Sequence, residues 1–229
     1  MNDQRPTIVA VSGFSSNVGK TTLVCDLLKR LPGWEAIKVS RGHYRSCGKD
    51  PVACCVSDLI GLEPVVRSGR DTNYEAGKDT GRFWDAGATN VHWVIVNDDQ
   101  VEQGIQEAIR RVTGAGVVIE GNSFLNFVEA DLTIMCARSE GGTIKSSARE
   151  ALKKSDVLYV SSLDADGLKA RREFHIWYSN LSFKVELVHL PLFTADDLQE
   201  LIRTINLAAN DHRSSQPEND LCSSAKICS

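Results

Sequence analysis

The stretch that decides the fold is residues 7–23, which read TIVAVSGFSSNVGKTTL. Residues 7–11 are a continuous run of apolar, mostly β-branched residues, which predicts a strand covered on both faces. From Lys20 onward an amphipathic pattern predicts a helix over 20–31. Between them lies a loop rich in glycine and serine that begins at Gly13 and ends at Gly19. The stretch therefore predicts a strand, a tight loop and a helix in direct succession.

The same alternation continues along most of the chain. Further strands are predicted at 36–40, 91–96, 116–120, 132–136, 157–161 and 185–190, and further helices at 51–60, 101–112, 145–152, 168–181 and 195–209. Thr194, followed three residues later by Asp197, is a capping signal at the start of the last helix. Alternating strands and helices predict a three-layer α/β fold, in which a mainly parallel sheet has helices on both faces.

Composition limits the classes of protein that fit the chain. It has 229 residues, 42% of them hydrophobic, and 26 Lys and Arg against 30 Asp and Glu give a formal net charge of -4. Such a chain buries a full core, and its charge argues against a broad nucleic-acid-binding surface. No apolar run approaches the roughly 20 residues needed to span a bilayer, and the first residues lack the layout of a signal peptide. We therefore expect a cytoplasmic protein that binds neither nucleic acid nor membrane.

Two segments depart from the alternating pattern. Residues 41–88 contain seven glycines and little strand signal, and so long an insertion in an α/β domain is usually functional. Residues 210–229 are polar and lack apolar periodicity, which predicts a disordered tail. The expected organisation is one domain over 1–209 with an insertion at about 41–88.

The loop after the first strand has the composition of a phosphate-binding loop. Successive backbone N–H groups in such a loop point at phosphate oxygens, and the following helix adds the positive end of its dipole. We expect Lys20 to reach the terminal phosphates and the Thr21 hydroxyl to ligate Mg²⁺. The expected nucleotide contacts are Gly13, Ser15, Ser16, Asn17, Val18, Gly19, Lys20, Thr21 and Thr22. The predicted fold is therefore a P-loop NTPase fold, with a chance Gly-Lys-Thr in an ordinary turn as the alternative.

The spacing of the loop departs from the usual pattern. Five residues, not four, separate Gly13 from Gly19, so that Phe14 stands where the pattern has its first glycine. The longer spacing resembles the loop of dethiobiotin synthetase and the cobyrinate amidases. That branch of P-loop proteins also holds the MinD-type ATPases, whose extra lysine near the loop start is absent here.

A carboxylate is predicted at the end of a later strand. The apolar run 117–119 ends at Glu120, which is followed by Gly121. P-loop proteins place a carboxylate here to hold Mg²⁺ through water or to orient the attacking water. The alternative is an ordinary surface acid at a strand terminus. Asn122 and Ser123 lie just beyond and are candidates for contact with a substrate.

Residues 77–88 read GKDTGRFWDAGA and set glycines among charged residues. Each glycine in a helix interior costs about 1 kcal/mol, so a purely structural helix explains the composition poorly. A loop and helix that bring Lys78, Asp79 and Arg82 to a phosphate or metal explain it better. A solvated charged turn is the alternative.

The sequence resembles MobB-type proteins, the nucleotide-binding adaptors of molybdopterin guanine dinucleotide biosynthesis. Three features carry the resemblance: Gly-Lys-Thr-Thr-Leu at 19–23, an Ile-Lys strand end at 37–38 followed by His43, and a Gly-Lys-Asp-Ser/Thr-x-Arg…Ala-Gly-Ala segment at 77–88. The match covers roughly residues 7–125. The resemblance implies a GTP-binding α/β domain, often dimeric, that assists molybdenum-cofactor maturation. This chain differs in its longer loop, in having one histidine where the family has a pair, and in a cysteine-rich insertion.

Four candidate metal ligands lie within 13 residues at the spacing H-x₃-C-x₆-C-C. They are His43, Cys47, Cys54 and Cys55. Thiolate and imidazole ligands suit zinc or an iron–sulfur cluster, although the spacing matches no standard finger. On the helix predicted over 51–60, Cys55 shares a face with apolar residues and Cys54 does not. Metal or cluster binding, redox-active thiols and inert thiols all remain open.

The sequence gives little indication of whether the nucleotide base is guanine or adenine. No Asn-Lys-x-Asp guanine signature occurs in the chain. After the strand predicted at 157–161 the sequence offers Asp164, which would accept hydrogen bonds from guanine, or which simply initiates a helix. GTP over ATP therefore rests mainly on the resemblance.

These observations predict Mg²⁺-dependent binding and slow hydrolysis of GTP or ATP, with Lys20, Glu120 and Asp79 as candidate catalytic residues. The first hypothesis is an accessory protein in the assembly of the molybdenum cofactor or another metal cofactor. It would act as a homodimer, with cofactor cargo and a biosynthetic enzyme as partners. The second hypothesis is an ATP-dependent ligase of the dethiobiotin synthetase kind, acting on a small carboxylate.

Overall fold

The computed structural model describes residues 5–42, 59–164, 166–181 and 189–214. Its strands are β1 (Thr7–Gly13), β2 (Glu35–Arg41), β3 (Val65–Ser68), β4 (Val91–Val96), β5 (Gly116–Glu120), β6 (Leu132–Arg138), β7 (Val157–Ser161) and β8 (Leu192–Phe193). Its α-helices are α1 (Lys20–Leu28), α2 (Arg70–Asn73), α3 (Asp79–Asp85), α4 (Val101–Arg110), α5 (Ser146–Leu152), α6 (Gly167–Ser179) and α7 (Leu198–Ser214). No helix within these ranges combines the length and apolar character needed to cross a membrane.

The described strands form one sheet in the order β3-β4-β2-β5-β1-β6-β7-β8. All neighbouring pairs are parallel except β3 and β4, which are antiparallel. β1 is central, and later strands add on both sides of it. The loops that follow β1, β5 and β6 therefore open at one edge of the sheet, where ligands bind in doubly wound α/β folds.

Each face of the sheet is covered by helices and has its own hydrophobic core. All seven residues of β1 are buried, and alternate side chains serve opposite faces, with Val9 and Val11 in one core and Ile8 and Ala10 in the other. The first core includes residues of α1, α3 and α7, and the second includes residues of α4, α5 and α6. Two-sided covering explains why the strands read as continuous apolar runs.

A buried carboxylate fixes the amino end of β2. Glu35 Oε1 accepts hydrogen bonds from the N–H groups of Thr113 at 2.8 Å and Gly114 at 2.7 Å. Its Oε2 lies 2.8 Å from His92 Nε2 on β4, and the other ring nitrogen of His92 lies 2.8 Å from Ser68 Oγ on β3. These bonds tie three adjacent strands and one turn together through side chains.

The predicted α/β fold with a mainly parallel sheet is confirmed. The strands predicted at 7–11, 36–40, 91–96, 116–120, 132–136 and 157–161 correspond to β1, β2, β4, β5, β6 and β7. The capping signal before the last helix is also confirmed. The Thr194 N–H donates to Asp197 Oδ2 at 2.7 Å, and the two residues form a reciprocal capping box.

Some boundaries differ from the sequence-based expectations. The strand predicted at 185–190 is wrong for residues 189–190, which form a turn, and a short strand, β8, follows at Leu192–Phe193. Residues 185–188 lie outside the described residues. The tail expected from residue 210 is helical as far as Ser214, since extending an existing helix costs far less than starting one. Residues 215–229 and most of the helix expected at 51–60 lie outside the described residues.

Candidate functional site

The loop between β1 and α1 folds tightly over the start of the helix. A Cβ on Gly13 would lie 2.6 Å from Val18 Cγ2. Asn17 and Gly19 have φ angles of 62° and 86°, and a Cβ on Gly19 would lie 2.9 Å from the Cβ of Ser161 on β7. Glycine is therefore needed at both ends of the loop, for close approach and, at the second position, for its left-handed backbone.

Phe14, which occupies a glycine position of the usual pattern, anchors the loop to the sheet. Its N–H donates to Cys136 O at 3.0 Å, and its own carbonyl accepts from Lys145 N at 2.9 Å. The side chain is buried, with its ring centroid 6.1 Å from that of Trp177. The longer loop thus directs a large apolar side chain into the core.

Asn122 holds the loop from the other side. Its carboxamide accepts from the Gly13 N–H at 2.9 Å and donates to the Gly13 carbonyl at 2.9 Å. The side chain therefore positions the phosphate loop through main-chain bonds. This positioning role differs from the substrate contact expected from the sequence.

Lys20 is partly buried at the start of α1, directly below the loop. Its Nζ donates to Ser15 O at 2.8 Å. Burial lowers the pKa of Lys20 below its ordinary value of 10.5, while the charge of Glu120 opposes this shift. A cation that has lost much of its hydration attracts an entering anion strongly.

Behind Lys20, a lysine and two carboxylates form a compact cluster with the Thr21 hydroxyl. Lys38 Nζ lies 2.6 Å from Glu120 Oε1 and 2.5 Å from Asp79 Oδ2. Thr21 donates to Glu120 Oε2 at 2.9 Å. The Glu120 side chain is 3% exposed and that of Asp79 is 40% exposed. The structure thus brings together the predicted pair Thr21 and Glu120, and adds Asp79 to them.

The charges within this cluster stabilise one another. Burial disfavours the charged form of Lys38, but the charges of Glu120 and Asp79 outweigh it and raise the pKa of Lys38 above 10.5. Burial likewise opposes ionisation of Asp79, but the charge of Lys38 and the hydrogen bond from its ammonium hold the pKa of Asp79 below 3.8. At neutral pH Lys38 and Asp79 are therefore both charged.

Lys38 is a site residue that sequence reasoning missed. It lies on β2, and the sequence marked it only as part of an Ile-Lys strand end. The available signal was a lysine flanked directly by the apolar residues Ile37 and Val39 in a predicted strand, since an unpaired charge is costly there. Its partner Glu120 is 82 residues away, so no local pattern could identify the pair.

A cavity of about 500 Å³ lies over the loop and this cluster, and we call it the loop cavity. Its charged lining residues are Lys20, Lys38, Arg82, Arg138 and Asp79. Basic groups therefore outnumber acidic ones by four to one in the wall. Such a concentration of positive charge next to a glycine-rich loop suits a polyphosphate.

Helix α3 carries two of the three charged residues that the sequence assigned to the site. Asp79 and Arg82 line the loop cavity, and the Arg82 guanidinium donates to Thr22 Oγ1 at 3.2 Å. Lys78 instead lines a neighbouring cavity. A Cβ on Gly81 would lie 2.0 Å from Glu75 O. Gly81 is therefore needed for close packing of the preceding turn, which corrects the purely functional explanation of this glycine.

The remaining predicted loop residues occupy several environments. Those that line the loop cavity are Ser16, Asn17, Gly19, Thr21 and Thr22. The Val18 side chain is buried, and the Ser15 hydroxyl donates to Ser16 O at 3.2 Å. Asp164 lies apart from the lining, exposed and paired with Lys169.

The predicted cysteine cluster belongs to a segment outside the described part of the chain. His43, Cys47, Cys54 and Cys55 all lie outside the described residues. Within the described ranges, no group of three or more His, Cys, Asp and Glu side chains is arranged to hold a metal ion. The described thiols, Cys25 and Cys136, are both free and buried, and burial raises the pKa of Cys136 to about 12.

Oxygen donors in the cluster fit Mg²⁺. A hydroxyl from Thr21 and carboxylates from Glu120 and Asp79 converge beside the loop. Hard oxygen ligands of this kind, few in number, are what Mg²⁺ takes when phosphates and water complete its shell. These three residues therefore form a set that could hold the ion.

The loop, the helix that follows it and the carboxylate at the end of β5 stand at one edge of the mainly parallel sheet. The N-terminal strand is central, and its glycine-rich loop lies beside an exposed cavity. The chain has the P-loop NTPase fold.

No family model matches the chain, and no curated protein matches its sequence. HypB from Helicobacter pylori in complex with nickel is 12% identical, over 92% of this chain and 88% of that chain, with a TM-score of 0.48. LpxK from Aquifex aeolicus in complex with ATP is 16% identical, over 83% and 54%, with a TM-score of 0.44. The signal recognition particle receptor FtsY from Elizabethkingia anophelis is 14% identical, over 87% and 66%, with a TM-score of 0.40. Likeness at this level does not assign a function.

Proposed function

We propose that the protein binds a purine nucleoside triphosphate with Mg²⁺ and hydrolyses it slowly. The observation that carries the proposal is the loop cavity, where four basic side chains meet the glycine-rich loop. A triphosphate brings about four negative charges, which this wall is suited to neutralise. The Lys20 ammonium, now bonded to a backbone carbonyl, would turn to the phosphates.

The residues of the cluster have separate roles in this proposal. Thr21 and Glu120 would hold Mg²⁺, which supplies positive charge against the phosphate oxygens. Asp79 would complete that arrangement or orient the attacking water. Slow turnover is expected because Lys38 engages both carboxylates, so that neither is an unpaired base.

The biological role that we propose is that of an accessory protein in molybdenum-cofactor or other metal-cofactor assembly. Its support is the resemblance of residues 19–23 and 77–88 to MobB-type proteins, together with the position of Asp79. Asp79 belongs to the resembling segment and pairs with Lys38 at the nucleotide end of the sheet. A change in nucleotide state would therefore act directly on the insertion that begins at about residue 41.

A second candidate function has one observation in its favour. A further cavity, of about 390 Å³, shares Lys38 and Asp79 with the loop cavity. A small carboxylate in that cavity would lie next to the terminal phosphate of a bound nucleotide. An ATP-dependent ligase needs this arrangement, whereas a simple hydrolase does not.

Calorimetry with GTP and with ATP, each with Mg²⁺ and with EDTA, tests the proposal. We expect Mg²⁺-dependent binding and turnover below about 1 per second without a partner. Lys20→Met should weaken binding about 100-fold, because a charge-assisted hydrogen bond to phosphate is lost. The control is Lys29→Met, which changes an exposed lysine just after the same helix.

Two results would contradict the proposal: no binding of either triphosphate, or equal affinity in Lys20→Met and the control. The ratio of the affinities for GTP and ATP shows which purine base the protein prefers. GTP preference would support a role for Asp164 in reading guanine. ATP preference, with turnover that depends on an added carboxylate, would support the ligase.

A further inference from the structure

The second cavity has a lining unlike that of the loop cavity, and we call it the side cavity. It lies on the β3–β4 side of Lys38, with Trp93 and Tyr74 among its walls. Its volume of about 390 Å³ falls within the range of small-molecule sites. Aromatic walls of this kind suit a flat ring.

Two basic side chains of the side cavity lack an acidic partner among the described residues. These are Arg67, from β3, and Lys78, from the turn before α3. The Arg67 guanidinium lies 5.7 Å from the Trp93 ring centroid, and neither basic group forms a salt bridge within the described part of the chain. Lys78 is exposed and Arg67 is half-buried, and the cavity wall also holds the carboxylates of Glu75 and Asp79.

The aromatic wall is held in a fixed orientation. Trp93 Nε1 donates to Ser40 Oγ at 2.8 Å, and Asn73, at the floor, donates to the carbonyls of Arg67 and Val91 at 3.0 and 2.7 Å. A preformed wall avoids the entropic cost of ordering side chains on binding. The Trp93 side of the cavity is therefore held in place before any ligand enters.

We infer that the side cavity binds a small aromatic oxyanion, a flat ring bearing a carboxylate or phosphate. The oxyanion would pair with Arg67 and Lys78, and the ring would lie against Trp93. Because Lys38 and Asp79 line both cavities, binding there alters the charge that a nucleotide meets in the loop cavity. This coupling rests on the proposed function, whereas binding in the side cavity does not.

The test follows the indole N–H signal of Trp93 in ¹H–¹⁵N spectra of the full chain. The chain has four tryptophans, and loss of one signal in Trp93→Phe assigns it. Benzoate and phenyl phosphate are the probes, and benzyl alcohol is the neutral control. We expect saturable shifts with at least one anion and none with the alcohol. The anion that binds with the higher affinity shows whether the cavity prefers a carboxylate or a phosphate.

Charge-removing variants connect the shift to the proposed contacts. Arg67→Gln and Lys78→Gln should each weaken probe binding about tenfold, the loss expected for one hydrogen bond to a charged group. Lys78 is exposed, so its variant keeps the test valid if Arg67→Gln fails to fold. Arg203→Gln, on an exposed face of α7, should bind the probe as the unaltered chain does.

The coupling is measured by repeating the titration with saturating Mg²⁺ and a non-hydrolysable triphosphate. We expect the affinity for benzoate to change at least about threefold. Equal shifts with benzyl alcohol, or unchanged affinity in both Gln variants, would overturn the inference. Failure of the nucleotide to bind would remove the coupling and the proposed function, while the nucleotide-free titration would still decide whether the side cavity binds the anion.

Discussion

Strand β2 carries two buried charges that are used in opposite ways. Glu35, at the amino end, is 1% exposed and has partners on both oxygens, all from the protein. Lys38, at the middle of the strand, is also largely buried, but it borders two cavities and pairs with two carboxylates. One charge is enclosed, and the other faces space that a ligand can fill.

The comparison separates charges that stabilise the fold from charges that serve a site. Burial raises the pKa of Glu35, but hydrogen bonds from His92, Thr113 and Gly114 outweigh it and leave the pKa below 4.5. For Lys38 the opposing charges are themselves candidate Mg²⁺ ligands. Its pairing can therefore be rearranged by a ligand, whereas that of Glu35 cannot.

Removing the enclosed charge should have the largest effect on stability. Glu35→Ala leaves two partly buried N–H groups and the buried His92 ring without their acceptor, which should lower the free energy of unfolding by about 4 kcal/mol. Nucleotide affinity of the folded protein should stay within about twofold, because none of these groups borders the loop cavity. Urea denaturation and calorimetry measure the two quantities.

The matched control for that variant is Glu150→Ala. Glu150 is exposed and pairs with Lys153 in the same helix region, so its loss should cost less than about 1 kcal/mol. A similar small loss in Glu35→Ala would show that the enclosed charge contributes little. If Glu35→Ala does not fold, Glu35→Gln keeps one acceptor oxygen and should give a smaller, measurable loss.

Removing the charge at the site should have a smaller and ligand-dependent effect. Lys38→Met leaves Glu120 and Asp79 without their shared ammonium, and we expect a loss of about 2 kcal/mol without Mg²⁺, discounted because Asp79 is partly exposed. Mg²⁺ should then stabilise the variant more than the unaltered chain, since it replaces the missing positive charge. Thermal unfolding with and without Mg²⁺ measures the difference. Equal stabilisation of both proteins by Mg²⁺ would count against the assignment of Glu120 and Asp79 as its ligands.

The local parts of the molecule were predictable from the sequence. Strands buried on both faces read as apolar runs, and the loop from Gly13 to Gly19 combines required glycines with Lys20 and Thr21. Each of these signals lies within a few consecutive residues. The mainly parallel α/β fold and the strand–loop–helix unit followed from them.

The parts that sequence reasoning missed depend on distant contacts. The pairing of Lys38 with Glu120 spans 82 residues, and β3 is a four-residue edge strand whose regularity comes from antiparallel pairing with β4. Gly81 was interpreted by its cost in a helix, but the structure places the Glu75 carbonyl against it. In each case the deciding atom lies outside the local pattern.

The smallest expected effect is on the pH dependence of stability. The pKa of Glu35 lies below 4.5 in the folded chain, so its contribution is present above pH 4.5 and is lost as the pH falls through the lowered value. The pKa of Lys38 lies above 10.5, so its contribution is full below pH 10.5 and is lost as the pH rises through the raised value. Glu35→Gln should therefore flatten the acid limb by about 1 kcal/mol and leave the alkaline limb unchanged. Lys38→Met should flatten the alkaline limb and also change the acid limb, because Lys38 holds the pKa of Asp79 down. Urea midpoints measured from acid to alkaline pH test this, with Glu150→Gln as the control, and a change of the alkaline limb in Glu35→Gln would refute the separation of the two charges of β2.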